Sequence, residues 1–162
     1  MVFNQKKYHL FQIRIVFCFL IFGSNLISQN LGEITIYNTD NSNITYNQVN
    51  CLEFDQFGDL WIGTEYGISL FNEAANTWYN FYADDPGSGL SSNSIQTIES
   101  NGDEIWIGTN AGITLVDYYT GWTPYFEWEN IPDNTIQTIF SDENKIWVGT
   151  TGGLCIYNGE TW

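Results

Sequence analysis

Trp61-Ile-Gly-Thr-Glu-Tyr-Gly-Ile-Ser-Leu-Phe-Asn72 returns as Trp106-Ile-Gly-Thr-Asn-Ala-Gly-Ile-Thr-Leu-Val-Asp117 and once more as Trp147-Val-Gly-Thr-Thr-Gly-Gly-Leu-Cys-Ile-Tyr-Asn158. The tryptophans lie 45 and 41 residues apart, the period of a repeat architecture. Leu60, Ile62 and Thr64 alternate with Trp61 and Gly63, so a strand here would carry large apolar groups on both faces. An isolated sheet would leave one of those faces in water. Copies that cover one another solve the problem, which accounts for the repetition.

Working outward, each unit reads in four phases. The first is Asn-x-(Val/Ile)-x-x-(Leu/Ile), found at Asn47 to Leu52 with an assigned offset of one residue, at Asn93 to Ile98 and at Asn134 to Ile139. The second and third are the two halves of the Trp phrase. The fourth is aromatic, Trp78 to Tyr82 and Trp122 to Trp128. Each phase is short, rich in β-branched or aromatic residues and bounded by Gly, Asn, Asp or Pro, which favours strands over helices. Gln56-Phe57-Gly58-Asp59, Asn101-Gly102-Asp103 and Asp142-Glu143-Asn144 supply hairpin turns between the first two phases. Between the second and third, Gly63 to Gly67, Gly108 to Gly112 and Gly149 to Gly153 repeat without a change in length. The later glycine of each pair suits a positive φ, and the earlier one a close approach by another chain segment. A phosphate cradle is disfavoured, because no Lys follows these glycines and no helical pattern lies behind them.

Four antiparallel strands per unit define a β-propeller blade, and the expected fold is an all-β partial propeller of about three blades. The run Asn-x-(Val/Ile), Gly-Asp-Leu-Trp-Ile-Gly-Thr-x-x-Gly-Ile and closing Asn resembles the two-component regulator propeller repeat over about Glu33 to Trp162. The other units depart slightly, with Glu104-Ile105 and Lys145-Ile146 in place of Asp59-Leu60. The resemblance implies an exported bacterial sensor or surface protein. The expected organisation is a signal peptide at 1–29, an outer strand of an incomplete blade at 30–46, blades at 47–92 and 93–133, and an incomplete blade at 134–162. The open ends of such an arc expose apolar faces. They are expected to meet the remaining blades of a longer chain, with self-association as the second expectation.

The leader rests on Lys6, Lys7 and Arg14 ahead of the apolar run Ile15 to Phe22, then small and polar residues near Ser28. That run is shorter than the roughly 20 residues of a spanning helix. Cys18 follows bulky Phe17 and precedes more apolar residues, a poor setting for lipid attachment. Cleavage would remove the only histidine and three of the four basic residues, leaving Lys145 against nineteen Asp and Glu. So acidic a chain repels phosphate backbones and anionic lipid, which excludes nucleic acid and, for this segment, membrane as partners. Cys51 occupies the slot of Thr97 and Thr138, and Cys155 that of Ser69 and Thr114, so both are expected as free, inward-facing thiols.

Catalysis is poorly supplied: the mature chain has no His, no Arg and no activated nucleophile, and no cofactor is expected. Carboxylate-based glycan chemistry is the remote alternative, with Asp84-Asp85 or Glu127 and Glu129 as its candidates. Asp55 with Asp59, and Asp142-Glu143-Asn144, offer oxygen ligands for calcium but read more simply as turns, so no metal is expected. Recognition remains. In a propeller, Asn47, Asn93 and Asn134 share a rim with Glu65-Tyr66, Asn110-Ala111 and Thr151-Gly152, groups suited to an oligosaccharide's hydroxyls and flat apolar face. The repeated Asn serves equally well to close a turn. Trp61, Trp106 and Trp147, with Gly63, Gly67, Gly108, Gly112, Gly149 and Gly153, are read as structural. The functional expectation is a non-catalytic binding or sensing module for a glycan-derived or other small ligand; a secreted adhesion or scaffold protein is the alternative.

Overall fold

The computed structural model describes residues 34–126, 130–142 and 145–162. The chain divides into Met1–Ile34 and Thr35–Trp162, and the architecture below is that of the second unit. The expected leader, and the candidates Glu127, Glu129, Glu143 and Asn144, lie outside the described residues.

The described residues hold no helix and form three antiparallel sheets. The first contains β1 (Val49–Phe54), β2 (Leu60–Thr64), β3 (Gly67–Asn72) and β4 (Thr77–Phe81) in that order. The second contains β5 (Ile95–Asn101), β6 (Glu104–Thr109), β7 (Gly112–Asp117) and β8 (Gly121–Tyr125), also in order. The third has β9 (Ile136–Asp142), β10 (Lys145–Thr150) and β11 (Gly153–Tyr157). Among the described residues, the sheets approach most closely through their first strands, β1 against β5 and β5 against β9, which fans them like blades about a shared inner edge.

One sequence expectation is corrected. Pairing of Cys51 with Gly63, Thr97 with Gly108 and Thr138 with Gly149 aligns the three units without the offset assigned to Asn47–Leu52. The irregular register sits instead in all three first strands, where Asn50, Gln96 and Gln137 are bulged out of the ladder. Described residues 34–46 hold no strand, and no ladder partner for the outer strand expected within 30–46 is among the described residues; Tyr37 packs on Phe71 and Trp78, and Asn47 Oδ1 accepts the Thr39 amide as Asn93 Oδ1 accepts that of Ala83 after β4. The amides of Asn38, Thr39 and Asp40 donate to side-chain oxygens of Asn41, Asn47 and Asn38, so the chain turns there. Beyond the turn, Thr45 donates its amide to Ser69 Oγ, and Ile44 is buried against Ile62 and Phe71.

The two faces of each sheet have different chemistry. Trp61, Ile68, Leu70 and Phe81 on the rear of the first sheet pack against Ile95, Ile98, Ile107 and Val116 on the front of the second. The scheme repeats as Trp106, Ile113 and Leu115 meet Ile136, Ile139, Ile146 and Val148. Gly63 and Gly108 permit the contact, because a Cβ built on either would lie 2.6 or 2.5 Å from Cγ2 of Ile95 or Ile136. Gly67, Gly112 and Gly153 take φ of 98°, 136° and 140°, a region that L side chains avoid. Cys51 and Cys155 are free and partly buried, in different sheets. Burial pushes the Cys51 thiol up to about 12, which leaves it inert at neutral pH.

Candidate ligand-binding rim

The Thr of each Trp phrase has a task that the strand pattern did not reveal. Thr64 Oγ1 donates to the Gly67 carbonyl (2.8 Å) and accepts the Tyr66 amide (3.0 Å), closing the turn between β2 and β3. Thr109 and Thr150 repeat both bonds with Gly112 and Ala111, and with Gly153 and Gly152. All three threonines are buried. The amides of Glu65, Asn110 and Thr151 then donate to the carbonyls of Gln48, Ser94 and Thr135 at 3.1, 3.2 and 3.1 Å. These bonds bring the turn tips onto one rim with the segments entering β1, β5 and β9. The frame is constant while its tips vary: Glu65-Tyr66, Asn110-Ala111 and Thr151-Gly152.

The repeated asparagines act within this frame. Asn47 Oδ1 accepts the Thr39 amide at 2.9 Å, and its Nδ2 donates to Thr39 Oγ1. Asn93 Oδ1 accepts the Ala83 amide at 2.7 Å, while its carbonyl accepts the Gly67 amide at 2.7 Å. Asn93 therefore ties the exit of the first sheet to the entrance of the second. Asn134 lies beside Thr135 at the corresponding place, and the Thr135 amide, which donates to Asp133 Oδ1 at 2.6 Å, together with the Thr151 side chain holds the Asp133 carboxyl below its ordinary range.

Glu65 is the member of the predicted set with the most developed surroundings. Ser94 Oγ donates to its Oε1 at 3.1 Å and Asn50 Nδ2 to its Oε2 at 3.3 Å. Asn50 also reaches the Ile95 carbonyl at 2.8 Å, and Gln96 Nε2 donates to Ser94 Oγ at 3.1 Å. The carboxylate thus sits in a polar network spanning two blades, with acceptor capacity left on both oxygens. Tyr66, exposed beside it, packs on Tyr82 with ring centroids 5.9 Å apart. Asn50, Ser94 and Gln96 were not anticipated. A signal existed, since the bulge slot holds an amide side chain in every unit: Asn50, Gln96 and Gln137.

The carboxylates of the turns between first and second strands are engaged structurally. Asp55 Oδ1 accepts the Phe57 and Asp59 amides, and Oδ2 accepts Trp61 Nε1 at 3.0 Å and the Tyr118 hydroxyl of the neighbouring sheet at 2.6 Å. Asp59 accepts Asn72 Nδ2 at 2.6 Å, and Asp85, in the loop after β4, accepts the Tyr82 amide at 3.1 Å. Among the described residues no group of three or more His, Cys, Asp or Glu is placed to hold a metal ion. A cleft of about 470 Å³ is lined by Asp103, Glu104, Asp117, Tyr119 and Tyr157. Its acids are already acceptors: Asp103 from Gln56, Glu104 from Trp106 Nε1, and Asp117 from the Tyr119 and Thr120 amides.

Burial by itself would raise the Asp55 carboxyl, but hydrogen bonds from Tyr118, Trp61, Asp59 and Phe57 outweigh it and hold the group below its ordinary value of 3.8. A depressed acid stabilises the fold above its unfolded pKa, and that contribution is lost as pH falls through the folded value. Asp55→Asn should therefore cost about 1–3 kcal/mol at neutral pH and flatten the acid limb of stability below roughly pH 4. Urea unfolding of both proteins across that range measures the difference.

The fold and rim together define an all-β propeller array that presents variable polar tips on a repeated frame. Residues 43–66 and 130–152 match the family model described as two component regulator propeller. Among solved structures it is similar to an extracellular domain assigned to a one-component system, BT4673 of B. thetaiotaomicron, at 22% identity and a TM-score of 0.62. That match covers 78% of this chain and 16% of the other. A second structure of a BT4673 extracellular domain, there assigned to a hybrid two-component system, gives 21% identity and a TM-score of 0.63 over 78% of this chain and 17% of that one. The extracellular domain assigned to the hybrid two-component system BT3049 of the same organism gives 23% and 0.53, over 78% and 24%. The chain thus spans about a sixth to a quarter of the length of these structures. No curated protein matches the chain.

Proposed function

We propose that these blades form a non-catalytic binding module of an exported sensor, with a neutral, hydroxyl-rich ligand of glycan origin held at the rim between the first and second sheets. The observation that carries the reading is the network of Asn50, Glu65, Ser94 and Gln96 beside exposed Tyr66. Glu65 would accept sugar hydroxyls through the oxygen capacity left by Ser94 and Asn50, and Tyr66 would offer its ring to the apolar face of a pyranose. The leader composition and the extracellular origin of the similar domains support export. With Lys145 the only basic side chain among the described residues, the site favours uncharged over anionic ligands.

Calorimetric titration of the protein with a panel of neutral oligosaccharides tests this reading. Binding is expected, weakened about tenfold or more by Tyr66→Ala or Glu65→Ala. Absence of binding across the panel would defeat it, and release of shorter sugars would replace it with the carboxylate-enzyme alternative.

A further inference from the structure

The two internal contacts between sheets use the same four aromatic positions, with one exception. On the rear of the second sheet stand Trp106 and Tyr125, and Tyr157 and Trp162 of the third unit meet them. The Tyr157 ring centroid lies 5.3, 6.2 and 5.1 Å from those of Trp106, Tyr125 and Trp162, so its phenol closes the group. At the contact between the first and second sheets, Trp61 lies 6.0 Å from Phe81 and 6.4 Å from Trp122, and Phe81 lies 5.0 Å from Trp122. The place of Tyr157, paired with Ile146, is taken there by Val116, paired with Ile105. A valine does not reach as far as a phenol ring. A hollow of about 270 Å³ remains, walled by the three rings with Leu70, Val116 and Tyr118.

The hollow lies at the end of the sheets opposite the rim, beside the turn from β7 to β8, and Asp117 and Gly121 complete its lining. The Thr120 and Tyr119 amides hold the Asp117 carboxyl below its ordinary value of 3.8, so it is ionised at neutral pH. The turn does not call for that charge. Asn72 and Asn158 occupy the same place in the other units and accept the same kind of backbone amides, from Ala75 and from Glu160 and Thr161. None of the residues lining the hollow is basic.

We propose that this hollow binds a small organic cation of the methylated-ammonium class, its head against Trp61, Phe81 and Trp122 in the field of the Asp117 carboxylate. Cation–π attraction operates within about 6 Å of a ring centroid and is strongest at Trp. A head seated where the Tyr157 phenol sits at the other contact would face three rings at about that range. A quaternary ammonium has no N–H to satisfy, so a wall of rings and aliphatic groups can accept it without a dedicated acceptor. The site is separate from the rim and takes a ligand of different chemistry.

Titration of the protein with choline chloride against sodium chloride of equal ionic strength, followed through the tryptophan indole N–H resonances, tests the proposal. Expected are saturable shifts that dimethylbutanol, the uncharged isostere of choline, reproduces only with at least about tenfold weaker affinity. Val116→Tyr, which places in the hollow the ring found at the other contact, is expected to abolish them. Asp117→Asn, which keeps the turn, is expected to weaken binding by about threefold or more. No saturable shift, or equal affinity for the neutral isostere, would overturn the proposal. So would choline binding unchanged in Val116→Tyr with its circular dichroism intact. Should that variant not fold, unchanged binding in Asp117→Asn overturns the proposal by itself.

Discussion

Trp106→Ala is expected to be among the most damaging single substitutions, lowering unfolding free energy by about 3–5 kcal/mol. Trp106 is wholly buried, stacks at 6.1 Å on Tyr125, meets Tyr157 at 5.3 Å and Trp162 at 6.0 Å, and donates its indole N–H to Glu104. Truncation would open a cavity between two sheets whose backbones are held by their own ladders and cannot collapse into it. Trp147→Ala, at the same position of the third sheet, should cost less than half as much, because that ring is only partly buried. Urea unfolding under conditions that keep the chain monomeric compares the two. Equal losses would mean that neighbouring sheets do not supply the burial, contrary to the packing described above.

Gly108→Val should lie at or above the upper end of the about 1–3 kcal/mol typical of overpacking. A single Cβ there would already stand 2.5 Å from Ile136 Cγ2 and 2.7 Å from Thr97 Cγ2, and Ile136 has no solvent-facing route of retreat. The same change at Gly149 meets Thr138 Cγ2 at 2.9 Å and nothing from another sheet, so its cost to the monomer should be smaller. Thermal unfolding of the two variants side by side separates the close approach between sheets from the general cost of filling a glycine in a strand.

Both predictions rest on features that were legible in the chain. The alternation of Leu60, Ile62 and Thr64 with Trp61 and Gly63 showed that both faces of β2 had to be covered, and the fold places these residues on opposite faces with different partners. The later glycine of each turn takes the positive φ that its position implied. The offset assigned to the first unit was unnecessary because the irregularity is a bulge shared by all three first strands. A bulge inserts a residue without altering the apolar pattern around it, so strand periodicity does not register it. The outer strand expected near the start has no ladder among the described residues. Residues 34–38 have the composition of a strand, but a strand exists only where a neighbour accepts its ladder, and composition does not say which neighbour that is.

The rim divides similarly. Its location followed from the repeat, and Glu65 and Tyr66 stood out because they vary on a constant frame. The partners of Glu65 did not stand out, since Asn50 precedes it by fifteen residues and Ser94 follows it by twenty-nine on the next sheet. Asp55, read as a turn residue with some calcium character, proved to be a lock between sheets through Tyr118, sixty-three positions away.

What the amino-acid sequence determined alone was everything that recurs at a fixed distance along the chain: the strands, their apolar alternation, the turn glycines and the number of units. Those properties are local, because period and backbone conformation depend on near neighbours. Tertiary structure alone decided which polar groups meet across sheets, namely Glu65 with Ser94, Asp55 with Tyr118 and Glu99 with Ser141. Hydrogen bonds act over about 3 Å between groups that only the fanning of the blades brings together, and no spacing along the chain encodes that meeting.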